Sequence, residues 1–134
     1  TESLPELLQG LTQEQAQRRF SSDVFSIEEI LQHLTHWKIY YRRYLLGLSV
    51  DDLGPRLPDD GSAPGNMAKW PQIIAEHDNA QREWLKAVES VTDEKLREVH
   101  PQNRSGLNVA HVIGLLALHD AYHIGQIYAL RAML

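Results

Sequence analysis

His119 and His123 stand four residues apart in the run His119-Asp-Ala-Tyr-His123-Ile-Gly-Gln126, near the middle of the last helical segment. On a helix, positions i and i+4 lie one turn apart on one face, so two imidazoles at this spacing can reach one metal ion. Spacing alone is a weak signal, because seven histidines in 134 residues give roughly 0.35 such pairs by chance. Facing direction adds more. Advancing about 100° per residue from Val109 places Val112, Ile113, Leu116, Ile124, Ile127, Leu130 and Leu134 on one apolar arc. His123 falls inside that arc and His119 at its edge, so both point toward the core. His111 lies nearly opposite and reads as solvated. Asp120 also falls within the arc, where it either orients an imidazole or makes a salt bridge at the bundle edge. Gln126 is placed to hydrogen-bond a metal ligand or a substrate.

A third ligand has to come from another element. Ser26 followed by Glu29 forms a capping box that opens a helix from Ile27 to Leu46, with a stripe of Ile27, Ile30, Leu34, Trp37, Tyr41, Leu45 and Leu48. His33 sits at the margin of that stripe and can turn inward, whereas His36 is expected to face water. Tyr40, one ridge from His33, either lines the mouth of a site or packs in the core. A further helix from Met67 to Val91 carries Ile73, His77, Ala80, Trp84, Ala87, Val88 and Val91 on one side. His77 is therefore a rival ligand, or else a histidine at the core edge held by a neighbour.

The remaining segments frame these helices. Residues 3 to 9 make about two apolar turns with Pro5 near the start and Gly10 at the exit. Thr12 to Gln15 reads as a second capping box opening a turn that runs through Arg19, and Thr92-Asp-Glu opens another short turn. A polar link through His100, Pro101 and Gly106 leads to Asn108, which caps the final helix from Val109 to Met133. Gly47 to Gly65 is rich in Gly, Pro and Asp, and far longer than the usual loop of about 4–6 residues. It can run back along a helix, as a crossover that leaves its flanking helices parallel. With no alternating strand pattern, the class is all-α, in one domain spanning residues 1–134.

The composition excludes several functions. A net charge of −5 with scattered Lys and Arg argues against nucleic acid or an anionic membrane surface as partner. The chain has no cysteine, which rules out thiolate ligands and leaves His, Asp or Glu to hold any metal. No apolar run reaches the ~20 residues of a membrane span, so a cytoplasmic location is expected.

The ending His119-x-x-x-His123-x-Gly125-Gln126-Ile127, the capped segment Ser26-Ile27-x-Glu29-x-Leu31-x-His33-Leu34 and the run Leu8-x-Gly10-Leu11-Thr12-x-Glu14-Gln15 together resemble the DinB-like (damage-inducible) four-helix-bundle family. The resemblance covers nearly the whole chain. It implies a four-helix bundle with a long crossover loop between the second and third main helices, often a homodimer, with a divalent metal on one histidine of the second helix and two of the last. Those positions are His33, His119 and His123. Two departures stand out. Ile124 occupies a position where relatives usually carry a basic residue, and the first helix is short, which would expose apolar surface that dimerisation could cover.

Three neutral imidazoles leave a divalent ion, whether Zn, Ni or Fe, its full charge and an open position, the arrangement of a catalytic rather than a closed structural site. Relatives of the resembled family include thiol S-transferases and maleylpyruvate isomerases that use a low-molecular-weight thiol as cosubstrate. The resemblance therefore implies a metalloenzyme acting on a small-molecule thiol or electrophile. Two alternatives belong to other classes: a non-catalytic metal-binding stress-response protein, and a metal-free helical interaction module whose histidines merely pack.

Overall fold

The computed structural model describes residues 3–53, 69–99 and 106–134. Six helices follow in order: α1 (Leu4–Leu8), α2 (Gln13–Gln17), α3 (Ile27–Leu45), α4 (Trp70–Glu89), α5 (Asp93–Arg97) and α6 (Val109–Ala132). Among the described residues the only strand-like pairing is an isolated bridge between Val99 and Asn108. The fold is all-α, and no described helix is long and apolar enough to cross a membrane.

Local chemistry fixes where the helices begin. Ser26 Oγ accepts from the Glu29 amide at 3.2 Å, while the Ser26 amide donates to Glu29 Oε2 at 2.7 Å, so two amides left without helical partners are satisfied reciprocally. Thr12 and Gln15 repeat this box at α2, and Asn108 Oδ1 accepts from the His111 amide to cap α6. α3 ends one residue earlier than its periodicity indicates. Gly47 adopts φ 70°, the Gly47 amide donates to Tyr44 O, and the Leu48 amide donates to Arg43 O at 2.9 Å. This is a Schellman closure, which carries the chain away from the helix axis and leaves Leu48 outside the stripe and exposed. α2 likewise stops at Gln17, short of Arg19. α4 begins at Trp70, whose amide donates to Gln13 Oε1 at 3.2 Å and whose indole Nε1–H donates to Leu11 O at 3.1 Å. The proposed start at Met67, most of the crossover and the link from His100 lie outside the described residues.

Packing gives the helix directions. At one end Ile27, Leu31 and Leu34 of α3 meet Ile73 of α4 and Ile127 and Leu130 of α6. At the other, Leu45 meets Trp84 and Ala87 of α4 and Val109 and Leu116 of α6. The α3 and α4 residue numbers rise together, so these helices are parallel, while α6 runs against both. The end of α3 at Leu45 and the start of α4 at Trp70 therefore lie at opposite ends of the bundle, about 28 Å apart along the 19 residues of α3. α1 takes the fourth place at one end only: Leu7 and Leu8 enter the core, and Arg131 donates to the carbonyls of Leu7 and Gln9.

Candidate metal centre

α3 and α6 cross antiparallel beside the core, and the crossing brings His33 against His119 and His123. The three ring centroids are 4.4–5.0 Å apart, and one ligand nitrogen from each ring lies within 4.8 Å of the others. His33 Nε2 and His119 Nε2 are 3.0 Å apart. All three rings are half-buried, at the wall of a cavity of about 440 Å³ that Trp37, Tyr41, Leu115 and Leu116 complete. Nitrogens bound tetrahedrally to one ion at about 2.0–2.1 Å sit about 3.4 Å apart, within the range observed here, so the donor set fits a metal ion.

Neighbouring groups select the ring tautomers this requires. His123 Nδ1 is 2.6 Å from Gln126 Oε1, an acceptor, so the proton belongs on Nδ1 and the Nε2 lone pair is free for a metal. Gln126 is itself held, its Nε2 donating to Tyr122 OH at 3.2 Å. His119 Nδ1 lies 3.6 Å from Asp120 Oδ1, and both atoms are buried without a hydrogen-bond partner among the described residues. A small closure of that gap makes the carboxylate–imidazole pair that orients many metal-binding histidines. Burial lowers the His119 pKa, the nearby His123 lowers it further and Asp120 only partly opposes them, which favours the neutral ring a metal needs.

Of the two parts considered for it, Asp120 makes the salt bridge: its Oδ2 takes a hydrogen bond from Lys38 Nζ, while its Oδ1 stands beside His119 without bonding to it. Lys38 escaped sequence reasoning. Its signal was a lysine one turn after Leu34 on the apolar side of α3, matched by an aspartate on the apolar side of α6. His77 does not join the three histidines. It is buried on α4 and lines a different cavity with Lys38 and Asp120, so it is no rival ligand. Tyr40 packs edge-on against Trp37 at 5.3 Å and does not line the histidine cavity. His111 is exposed as expected, but His36 is half-buried rather than wet, because the Trp37 indole covers it at 5.5 Å.

An all-α bundle in which two antiparallel helices converge three imidazoles defines a class, the helical-bundle proteins with a metal-competent histidine centre. The family model of the DinB superfamily matches residues 1–127, and the chain belongs to that superfamily. No curated protein and no solved structure gives a significant match.

Proposed function

We propose that this protein binds a divalent metal through His33, His119 and His123 and uses that centre to activate a small thiol, or water, for S-transfer or isomerisation. The observation that carries the reading is the convergence of three imidazoles at the wall of a cavity, with room beside them for a guest. A divalent ion held there supplies Lewis acidity, which lowers the pKa of a bound water to about 7 or favours a thiolate over its thiol.

The chain's own residues supply the rest. Gln126 holds the His123 ring from behind, and Asp120 stands behind His119 at 3.6 Å, within a small closure of orienting it so that both rings present Nε2 to the ion. Trp37, Tyr41, Leu115 and Leu116 make an apolar wall that excludes water and suits an electrophile with an apolar or aromatic body. Among the described lining residues none is Lys or Arg, so an anionic substrate finds no cation there. Ile124, in the position where a basic residue was noted as usual, faces the other cavity. A cytoplasmic setting, with its reduced thiols, suits this chemistry. Zinc, nickel and iron all accept imidazole ligands.

Elemental analysis of protein purified without an affinity tag, followed by turnover assays pairing common cellular thiols with electrophilic acceptors, tests the reading. About one metal per chain, lost in His33→Ala and His123→Ala, with thiol consumption dependent on that metal, is the expected result. Full metal occupancy without turnover for any thiol would leave the ion a stabilising role, and metal at background would leave the histidines a packing role. We propose in addition that the protein is a homodimer, because α6 presents Leu118, Tyr122 and Tyr128 to solvent at 70%, 64% and 58% exposure.

A further inference from the structure

Behind the histidine centre, on the other side of the Lys38–Asp120 pair, lies a second cavity of about 290 Å³ between α1, α3, α4 and α6. Leu4, Leu8, Leu34 and Ile124 make its apolar wall. Its polar end is unusual for the interior of a small domain. Lys38 is only 3% exposed and His77 5%, and Gln81 and Asp120 join them there. Buried polar groups are normally paired, yet His77 Nε2 and Gln81 Oε1 are buried with no hydrogen-bond partner among the described residues. The Lys38 ammonium has three donors and one is used, on Asp120. His77 Nδ1 lies 3.9 Å from Asp78 Oδ1, which favours the proton on that side and leaves Nε2 as an acceptor. Unsatisfied acceptors and unsatisfied donors therefore meet at one end of an otherwise apolar space.

We propose that this cavity is a binding site for a small neutral molecule with an apolar body and a head group that both donates and accepts hydrogen bonds, such as a primary amide or an alcohol. Its volume is at the lower end of small-molecule sites, about 300–1,000 Å³. Charge decides the head group. Lys38 and Asp120 already neutralise each other, so a buried cation or anion added beside them brings a net charge whose desolvation cost the pair does not offset. A neutral amide accepts from Lys38 Nζ through its carbonyl and donates from its NH2 to Gln81 Oε1 and His77 Nε2, and its alkyl part covers Leu8, Leu34 and Ile124. Asp120 belongs to the wall between this site and the histidine centre, but binding here needs no metal.

Three isosteric probes separate the possibilities: isovaleramide, isovalerate and isopentylamine, each titrated into the full chain by 1H–15N correlation NMR, metal-free and zinc-loaded. Expected is saturable binding of the amide at least tenfold tighter than either ion, equal in both forms, with shifts centred on Leu8, Gln81 and Ile124. Gln81 makes no hydrogen bond or ion pair among the described residues, and Gln81→Leu should weaken the amide at least tenfold with an unchanged melting temperature. Absence of saturable amide binding, equal binding of an ion, or shifts centred on Trp37 and His119 would each overturn the proposal. The three-probe comparison on the unaltered chain stands whether or not the variant folds.

Discussion

At the residue scale, the chemistry of the centre depends on groups that touch no metal. Gln126 fixes the His123 ring through a 2.6 Å contact and, among the described residues, has no other polar partner than Tyr122. Gln126→Leu removes this orientation while leaving all three imidazoles in place. Zinc affinity measured by chelator competition should fall about 10–100-fold, the usual effect of losing a group behind a histidine ligand, with little change in the stability of the metal-free protein. His77 gives a different expectation, about pH. Burial lowers its pKa, the Lys38 charge lowers it further, and Asp78 and Asp120 only partly compensate. The folded chain thus resists the proton that the unfolded chain accepts near pH 6.5. Stability should decline as pH drops below that value, through the window down to the lowered folded pKa, because the unfolded state there binds more protons. Urea denaturation of metal-free protein at pH 7.5 and 5.5 checks this. His77→Phe should flatten the dependence without abolishing it, since His119 is shifted in the same direction.

At the element scale, the starts of α2, α3, α5 and α6 rest on short side-chain caps whose worth depends on burial. Ser26 is buried, and its partner Glu29 also receives Arg19 Nε at 2.9 Å. Burial pushes the Glu29 pKa up, but the hydrogen bonds from Arg19 and Ser26 together outweigh it, and the carboxyl lies below its usual range. Ser26→Ala should therefore destabilise the fold by about 1–2 kcal/mol, the upper part of the range for lost caps, and the exposed Thr12→Ala by about 0.5–1 kcal/mol. Chemical denaturation of both variants tests the order. These caps were legible in the sequence because a cap involves residues three apart, and the inward stripe of α6 was legible because a straight helix keeps its phase. The parallel order of α3 and α4 followed from the length of the segment between them. What the sequence withheld depends on pairs far apart in the chain. Lys38 and Asp120 explain each other only once α3 and α6 lie antiparallel, and His77 could be separated from the other histidines only by knowing that α4 turns it toward Lys38. His36 was misread because helical phase does not describe how far a neighbouring indole spreads.

At the scale of the whole molecule, α6 is the element out of balance. Between His111 and Arg131 its one charged residue is Asp120, which turns inward to Lys38, so the outer surface of this helix is apolar and small. A helix apolar on all sides is normally buried on all sides. Leu115, Leu118, Tyr122 and Met133, each more than half exposed, fall within about 60° of one another at about 100° per residue and share one face, whereas Tyr128 lies on another side. Side chains of this size expose roughly 400–550 Å² together, over half of the roughly 800 Å² that each partner contributes to a standard interface. The occupant proposed for this face is a second copy, since an isologous pairing would cover the same patch on both chains in a single step. Sedimentation equilibrium should then give a dimer at micromolar concentration. Leu118→Arg introduces two charges into a symmetric interface and should raise the dimer dissociation constant at least tenfold, while the His33, His119 and His123 geometry and zinc stoichiometry stay as they were. A monomer at 100-fold higher concentration would remove the second copy as the occupant. Leu115 connects this scale to the first: it belongs to the exposed face and also lines the histidine cavity. The proposed dimer, paired across α6, would narrow the approach to the centre, so Leu118→Arg should also speed zinc removal by a bulky chelator more than by a small one.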